Sequence, residues 1–176
     1  MNDYGRRGGP GPLPERWLRC PRKSDGLIVD KFLAFKTPLD DKFNDQVPIQ
    51  YRFTPNMVFQ SAKNITLSAK HNERPRIGLW IDLTKTKRFY DSETVSSNDC
   101  RYMKIECQGH EGAPSLEQTR TFIDLCKIFV SRDPINLIGV HCTHGFNRTG
   151  FLIVSYLIEE MECSIEAALA QFANVR

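Results

Sequence analysis

The strongest constraint on the fold is an uncharged apolar segment, residues 137–141, followed at once by a glycine-containing loop and a helix-forming sequence. A short charge-free run of this kind is typical of a strand buried within a sheet. The helix after the loop is expected to run from about Arg148 to Met161. A buried strand that passes through a short loop into a helix predicts an α/β domain, with a central, mainly parallel sheet flanked by helices.

Three further segments have the length and composition of strands. They lie at residues 27–39, 77–83 and 101–107, and the first of them looks extended and partly alternating in polarity. Because helix-forming segments separate these strands, the strands are expected to pair in parallel.

Helix-start signals mark the segments between and after the strands. Thr54 and Pro55 supply an N-cap and a first-turn proline. Ser115 and Gln118 form a capping box. Ser164 caps a last alanine-rich segment. We expect these three helices to end near residues 63, 133 and 174.

The composition fits one globular domain. The 176 residues carry 24 Lys and Arg against 21 Asp and Glu, which is a formal net charge of +3, and 40% of them are hydrophobic. This excludes a disordered polyelectrolyte and allows a sizeable core. No apolar run approaches the roughly 18 residues of a membrane helix. Because the first residues also lack the apolar core of a signal peptide, we expect a soluble intracellular protein without a membrane partner.

The first residues differ in composition from the rest. Gly and Pro make up seven of the first fourteen residues, which predicts a flexible tail over residues 1–14 and a folded domain over residues 15–176. Charge is also uneven, since residues 1–100 hold 17 basic and 12 acidic side chains whereas residues 101–176 hold 7 and 9. The basic excess therefore lies in the first part of the chain.

Cysteine and histidine spacing argues against a metal centre. The six cysteines include no Cys-x-x-Cys pair, and the absence of a secretion signal disfavours a disulfide framework. The four histidines, at positions 71, 110, 141 and 144, do not form a closely spaced set with carboxylates. We therefore predict no metal, and the remaining question is whether one of the thiols is reactive.

The loop after the buried strand contains a candidate nucleophile and a cation. Cys142 is followed by five residues and then by Arg148, with Thr149 directly after. Backbone amides of such a loop can form a cup around a tetrahedral oxyanion, and a guanidinium can hold two of its oxygens. A thiolate is favoured at a helix N-terminus beside a guanidinium, and the Thr149 hydroxyl is placed to donate to the sulfur.

The string from His141 to Gly150, His-Cys-x5-Arg-Thr-Gly, closely resembles the signature of the cysteine-dependent phosphatase superfamily. The resemblance implies a fold like that of the dual-specificity phosphatases, a phosphocysteine intermediate, and no metal or other cofactor. Phosphatases of this type usually protonate the leaving oxygen with an Asp on a loop some thirty residues before the cysteine.

Here that loop, residues 108–112, contains His110 and Glu111 but no Asp. An alkoxide or phenoxide leaving group needs a proton, whereas a diphosphate leaving from a phosphoanhydride carries its charge at neutral pH. The site therefore suits an anhydride better than phosphotyrosine, although Glu111 or His110 remains a possible proton donor.

Four segments together resemble a narrower family, the RNA 5′-triphosphatase domain of metazoan mRNA-capping enzymes. They are the cysteine loop, the segment Asp-Leu-Thr-Lys-Thr-Lys-Arg-Phe-Tyr-Asp at residues 82–91, and residues 16–22 and 164–168. The family removes the γ-phosphate from 5′-triphosphorylated nascent RNA and leaves a diphosphate end ready for guanylylation. This is the first step of mRNA capping.

The resemblance assigns roles to individual positions. Cys142 is the nucleophile, Arg148 binds the γ-phosphate, and Asp82 supports the site from the end of a strand. The predicted phosphate-binding residues are Thr143, His144, Gly145, Phe146, Asn147, Arg148 and Thr149. The candidates for the remaining phosphates or the RNA backbone are Lys85, Lys87 and Arg88.

Two alternatives remain. A dual-specificity protein phosphatase shares the loop and the fold, and a non-catalytic phosphate-binding module would use the same cup without cleavage. The intact Cys142 and Arg148 argue against the second.

The resemblance also bears on the parent protein. The chain contains no Lys-x-Asp-Gly guanylyltransferase motif and stops soon after its last predicted helix. We therefore expect a triphosphatase domain truncated at its C-terminus and cut from a longer enzyme. That enzyme would act in the nucleus with transcribing RNA polymerase II and carry a guanylyltransferase domain.

Overall fold

A computed structural model describes residues 8–65, 74–108 and 112–176. Its centre is a four-stranded sheet with the order β1-β4-β2-β3, in which every neighbouring pair is parallel. The strands are β1 (Phe32–Lys36), β2 (Ile77–Asp82), β3 (Arg101–Lys104) and β4 (Leu137–Cys142). Because β4 lies between β1 and β2, its carboxyl end is flanked by strands on both sides. The predicted α/β class with a mainly parallel sheet is confirmed.

Five α-helices and three short 3₁₀ turns complete the described fold. The helices are α1 (Pro55–Lys63), α2 (Glu93–Ser96), α3 (Leu116–Arg132), α4 (Asn147–Met161) and α5 (Ile165–Ala173). The 3₁₀ turns are Trp17–Arg19, Asp41–Phe43 and Ile49–Tyr51.

The predicted helix caps are confirmed. The side chains of Thr54 and Ser164 each accept a bond from a first-turn amide, and Ser115 and Gln118 cap each other reciprocally.

Two apolar layers cover the two faces of the sheet. On one face, β-strand residues such as Phe32 and Val140 pack with residues of α3, α4 and α5, including Phe122 and Leu152. On the other face, Trp80 belongs to a second layer. That layer also contains Trp17, Phe35, Phe53, Val58 and Phe89. The cysteine-bearing strand β4 is thus buried between layers, which keeps its last residues fixed.

Two strand predictions were too long. Residues 27–39 contain only β1, because Val29 and Asp30 adopt positive φ angles of 48° and 54° and form a turn before it. Every residue of β1 is buried, so the expected partial alternation is absent. The strand predicted over 101–107 ends at Lys104.

Part of the predicted tail contacts the domain. Arg88 Nη1 donates to the carbonyl oxygens of Pro10 (3.1 Å) and Pro12 (2.9 Å). Gln46 bonds the Gly11 carbonyl oxygen and the Leu13 amide. Residues 10–13 thereby lie against the folded domain in this structure.

The remainder of that predicted tail, residues 1–7, lies outside the described residues. Among the helices that the structure describes, none is long and apolar enough to cross a membrane.

Candidate active site

The cysteine loop joins β4 to α4 and wraps around a sulfur atom. Cys142 is the last residue of β4, and the Gly145 amide donates to its Sγ at 3.3 Å. Gly145 has φ of +75°, and a Cβ atom at this position would overlap the carbonyl oxygen of Phe35. Only glycine fits both the backbone angle and the space, so the loop depends on this residue to close over the sulfur.

The guanidinium of Arg148, the cation of the loop, is held by hydrogen bonds from its two Nη atoms. Its Nη1 donates to the carbonyl oxygens of Leu83 (3.2 Å) and Cys107 (3.1 Å), and its Nη2 donates to Thr143 Oγ1 (2.9 Å). Both Nη1 hydrogens are thereby used by the protein. The Nε hydrogen and one Nη2 hydrogen are not used by these bonds, and they are donors that can bind phosphate oxygens.

Arg176 supports the loop from outside, a role not predicted from the sequence. Its Nε donates to the Gly145 carbonyl oxygen (2.9 Å), and its Nη2 donates to that of His144 (2.7 Å). The guanidinium carbon lies 4.2 Å from the centre of the Phe146 ring, within cation–π distance. His144 Nε2 donates to the Glu15 carbonyl oxygen at 2.6 Å, which ties the loop to the segment before the first 3₁₀ turn.

A buried polar network lies beneath Cys142. His141 is fully buried, and its Nδ1 lies 3.1 Å from the Cys142 carbonyl oxygen. Because a carbonyl can only accept, Nδ1 carries the proton. Nε2 then accepts from the Tyr90 hydroxyl, 2.6 Å away. Burial lowers the pKa of His141, although Asp82 opposes the shift, so the neutral ring is favoured. The ring fixes the backbone where the loop begins.

Asp82 anchors this network as an ionised carboxylate. Its Oδ2 accepts from Tyr102 Oη (2.7 Å) and Lys104 Nζ (3.0 Å), and its Oδ1 accepts from the Thr84 hydroxyl (2.7 Å). Burial acts to raise the pKa of Asp82, but the hydrogen bonds from Tyr102 and Thr84 and the charge of Lys104 hold that pKa below its ordinary value. An ionised Asp82 cannot protonate a leaving group.

Sequence reasoning missed Lys104, the partner of that carboxylate. Asp82 and Lys104 are paired positions in the parallel register of β2 and β3. A register argument applied to the two strand ends could have identified the pair.

Two clefts meet at the loop. The first, of about 540 Å³, is lined by Cys142 and Arg148, together with Glu15, Arg16, Cys20, His144, Phe146 and Asn147. The second, of about 600 Å³, also contacts Arg148 and contains Lys85. Its other lining residues are Pro14, Glu15, Thr84, Thr86, Arg88, Phe89, Thr143 and His144.

The three predicted RNA contacts are separated by the structure. Lys85 and Arg88 line the second cleft, whereas Lys87 lines a different one, of about 610 Å³, with Lys42 and Asp91. None of the residues described around that different cleft belongs to the cysteine loop.

The predicted bond from the Thr149 hydroxyl to Cys142 Sγ is absent. Thr149 Oγ1 is buried and has no hydrogen-bond partner among the residues described. The amide of Gly145 contacts the sulfur instead. His110 and Glu111, the candidate proton donors, lie outside the described residues. Across the described ranges, no three His, Cys, Asp or Glu side chains form a group that could hold a metal ion.

Comparison with curated proteins gives long matches. The chain is 45% identical to an mRNA-capping enzyme of Danio rerio over 93% of its own length and 26% of that protein. It is 36% identical to an RNA/RNP complex-1-interacting phosphatase homolog of Caenorhabditis elegans over 93% of its length and 69% of that protein. The chain thus spans about a quarter of the capping enzyme that it matches. These matches agree with the resemblance drawn from the motifs.

Fold and family comparisons agree with these matches. The solved structure of Tk-PTP in the active form superposes with a TM-score of 0.63 over 89% of this chain and 85% of that one, at 15% identity. This likeness confirms the fold. The family described as "Dual specificity phosphatase, catalytic domain" matches residues 58–176, which include the whole cysteine loop. The chain belongs to this family of dual specificity phosphatase catalytic domains.

Proposed function

We propose that this domain is a metal-independent RNA 5′-triphosphatase that removes the γ-phosphate from 5′-triphosphorylated RNA. The observation that carries the proposal is the 45% identity to an mRNA-capping enzyme over 93% of the chain, with the cysteine loop complete. The ionised state of Asp82 is consistent with it, because a diphosphate leaving group does not require a proton. The products would be 5′-diphosphate RNA and inorganic phosphate.

The first chemical step uses the sulfur and the loop. The Cys142 thiolate attacks the γ-phosphorus, so that an S–P bond forms as the bond from phosphorus to the β–γ bridging oxygen breaks. The leaving RNA diphosphate takes that electron pair. The loop amides, of which that of Gly145 faces Sγ, and the unused donors of Arg148 stabilise the three equatorial oxygens, on which negative charge is spread in the transition state.

The second step returns the enzyme to its starting state. Water attacks the phosphocysteine, a P–O bond forms, the S–P bond breaks, and the sulfur leaves as a thiolate. The proton of the water passes to solvent or to the phosphate product. His141 and the Asp82 network do not touch the phosphate and act by holding the first residue of the loop.

One experiment decides between this function and protein phosphatase activity. The protein is incubated in EDTA with γ-labelled 5′-triphosphate RNA and, separately, with a phosphotyrosine peptide. We expect phosphate release from RNA, and none from RNA by the Cys142→Ser control. Release from the peptide but not from RNA would overturn the proposal and favour the dual-specificity protein phosphatase. Tight phosphate binding without release from either substrate would favour a non-catalytic module.

The proposal extends to the parent protein. Capping requires the diphosphate end to be guanylylated next, so a guanylyltransferase domain would complete the parent enzyme. Its setting would be the nucleus and its partner the transcribing RNA polymerase II complex. Similarity to mRNA-capping enzymes, of which this chain covers 26%, supports this setting.

A further inference from the structure

The second cleft lies beside the phosphate-binding loop and carries an excess of positive charge. Its lining includes three cations, Lys85, Arg88 and Arg148, against the one carboxylate of Glu15. It contacts the loop through Thr143, His144 and Arg148. A molecule whose terminal phosphate sits in the loop could therefore extend into this cleft without leaving Arg148.

Lys85 is the cation in this cleft whose charged group makes no hydrogen bond or ion pair with the described residues. The Arg88 guanidinium is held by the carbonyls of Pro10 and Pro12, and Arg148 is bonded within the loop. Lys85 is exposed, and no residue in the described part of the chain forms a hydrogen bond or an ion pair with it. An ammonium left without a partner is suited to binding an anionic ligand.

The first cleft offers less for a polyphosphate. Its additional cation, Arg16, has a largely exposed side chain and lies 3.9 Å from the carboxylate of Glu15. That arrangement places a negative charge beside the positive one. The second cleft has the larger excess of positive charge, and a phosphate chain would meet less repulsion there.

The geometry of displacement sets where charge develops. Sγ attacks from inside the loop, so the leaving oxygen departs on the opposite side of the phosphorus, towards the mouth of the loop. For a triphosphate, the leaving group is a diphosphate that gains charge as the bond breaks. A cation near this group stabilises the transition state more than the ground state.

We propose that Lys85 binds the leaving diphosphate of the substrate in the second cleft and makes the site selective for polyphosphate ends over phosphate monoesters. This inference rests on the proposed triphosphatase function. Arg88 contributes indirectly, because it holds residues 10–13, which lead into the part of the cleft wall formed by Pro14 and Glu15.

Lys87 provides a matched control. It is also an exposed lysine, it lies two residues further along the same segment, and it lines the cleft that contains no loop residue among those described. Removal of either lysine changes the net charge equally. A difference between the two variants therefore reports on position and not on total charge.

The test compares Lys85→Ala, Lys87→Ala and the unmodified protein on two substrates, a short 5′-triphosphate RNA and p-nitrophenyl phosphate. The second is a monoester without a diphosphate leaving group. We expect Lys85→Ala to lower kcat/KM for the RNA by about 10-fold and to change that for p-nitrophenyl phosphate by less than about 2-fold. Lys87→Ala should stay within about 2-fold on both substrates, and Lys85→Arg should recover part of the RNA activity.

The outcomes separate the two proposals. If the unmodified protein cleaves p-nitrophenyl phosphate but not the RNA, the proposed function itself is wrong. If it cleaves both and Lys85→Ala matches Lys87→Ala on the RNA, only the role of Lys85 is wrong. Equal losses by Lys85→Ala on both substrates would also overturn that role, because they would indicate damage to the loop.

Discussion

The cysteine loop and the wall that faces it across the second cleft are built in different ways. The loop uses consecutive residues between β4 and α4, and the backbone amide of Gly145 is directed at Cys142 Sγ. The wall is formed by residues 84–89 with Pro14 and Glu15. It depends on contacts between residues that are distant in sequence, such as the bond from Arg88 to a carbonyl 78 residues away. The reactive groups of the loop therefore come from one short segment, although tertiary bonds such as that to Glu15 also hold this segment. The wall instead joins segments that are distant in sequence.

This difference suggests how one chemical step can serve different substrates. In the proposed function the loop would bind any terminal phosphate, because its amides and Arg148 would contact only the phosphoryl oxygens. The wall would determine which substrate groups beyond that phosphate can bind. Substitutions in the loop should therefore affect all substrates, and substitutions in the wall should affect some of them.

The largest effect is expected for Cys142→Ser. Turnover should fall by about 10⁴-fold or more for every phosphate substrate, because serine is a far weaker nucleophile without a base to activate it. Binding of inorganic phosphate should remain within a few-fold, since the amides and Arg148 are unchanged. Rates and phosphate binding can be measured on the same preparation. Turnover near that of the unmodified protein would exclude a covalent cysteine mechanism.

The next largest effect tests the network beneath the loop. Lys104→Met leaves the buried Asp82 carboxylate without its ion-pair partner, and we expect the free energy of unfolding to fall by about 3 kcal/mol. Denaturant titration measures this change. Lys127→Met, which breaks a more exposed pair with Glu160, is the control and should cost under about 1 kcal/mol. Similar losses in the two variants would show that Lys104 has no special role.

Comparing Gly145→Ala with Gly112→Ala separates the cost of the backbone angle from the cost of the steric overlap. The alanine Cβ would overlap the Phe35 carbonyl oxygen, so we expect a loss of about 2 kcal/mol in stability and a loss of activity. Gly112 has nearly the same φ, +78°, but no atom of the described residues lies within 4 Å of the corresponding Cβ position. Gly112→Ala should therefore cost only about 1 kcal/mol. Equal costs would mean that the contact with Phe35 does not constrain the loop.

Arg176→Ala tests the support of the loop from outside. The carbonyls of His144 and Gly145 would lose their bonds to the guanidinium. We expect kcat to fall by about 10-fold on both the RNA and p-nitrophenyl phosphate, because the loop is common to both reactions. Arg176→Lys should recover little, since an ammonium lacks the planar fork. A loss confined to the RNA would instead place Arg176 with the wall.

The smallest expected effect is on pH dependence. Burial lowers the pKa of His141, so the unfolded chain takes up a proton near its ordinary value of 6.5 while the folded protein does not. Stability should therefore be fully present above about pH 6.5 and decline as the pH falls below it. The lowered pKa of Asp82 acts in the same direction below 3.8. Denaturant titrations at several pH values test this, and constant stability from pH 7.5 to 5.5 would contradict it.

The elements predicted correctly share a local origin. The strand-loop-helix unit around Cys142 and the capping signals of Thr54, Ser115 and Ser164 involve residues within a few positions of one another. Short-range spacing is sufficient to identify such features.

The elements that were missed depend on distant contacts. Lys104 pairs with Asp82 through strand register, and Arg176, which follows α5, bonds the His144 carbonyl 32 residues away. The predicted Thr149 bond is absent, and the Gly145 amide contacts the sulfur in the folded loop. Only the Asp82–Lys104 pair could have been inferred beforehand, from the register of the two strands, because the other contacts follow no local sequence pattern.

The bond between Arg176 and the His144 carbonyl has a consequence for the opposite end of the same peptide group. That peptide is rigid and planar, and its carbonyl and N–H point in opposite directions. Arg176 Nη2 holds the carbonyl outside the loop, and the N–H, which belongs to Gly145, points inside at Sγ. A side chain outside the loop thereby sets the direction of a dipole that faces the sulfur. The protein has paid the cost of turning this peptide during folding, before any phosphate arrives.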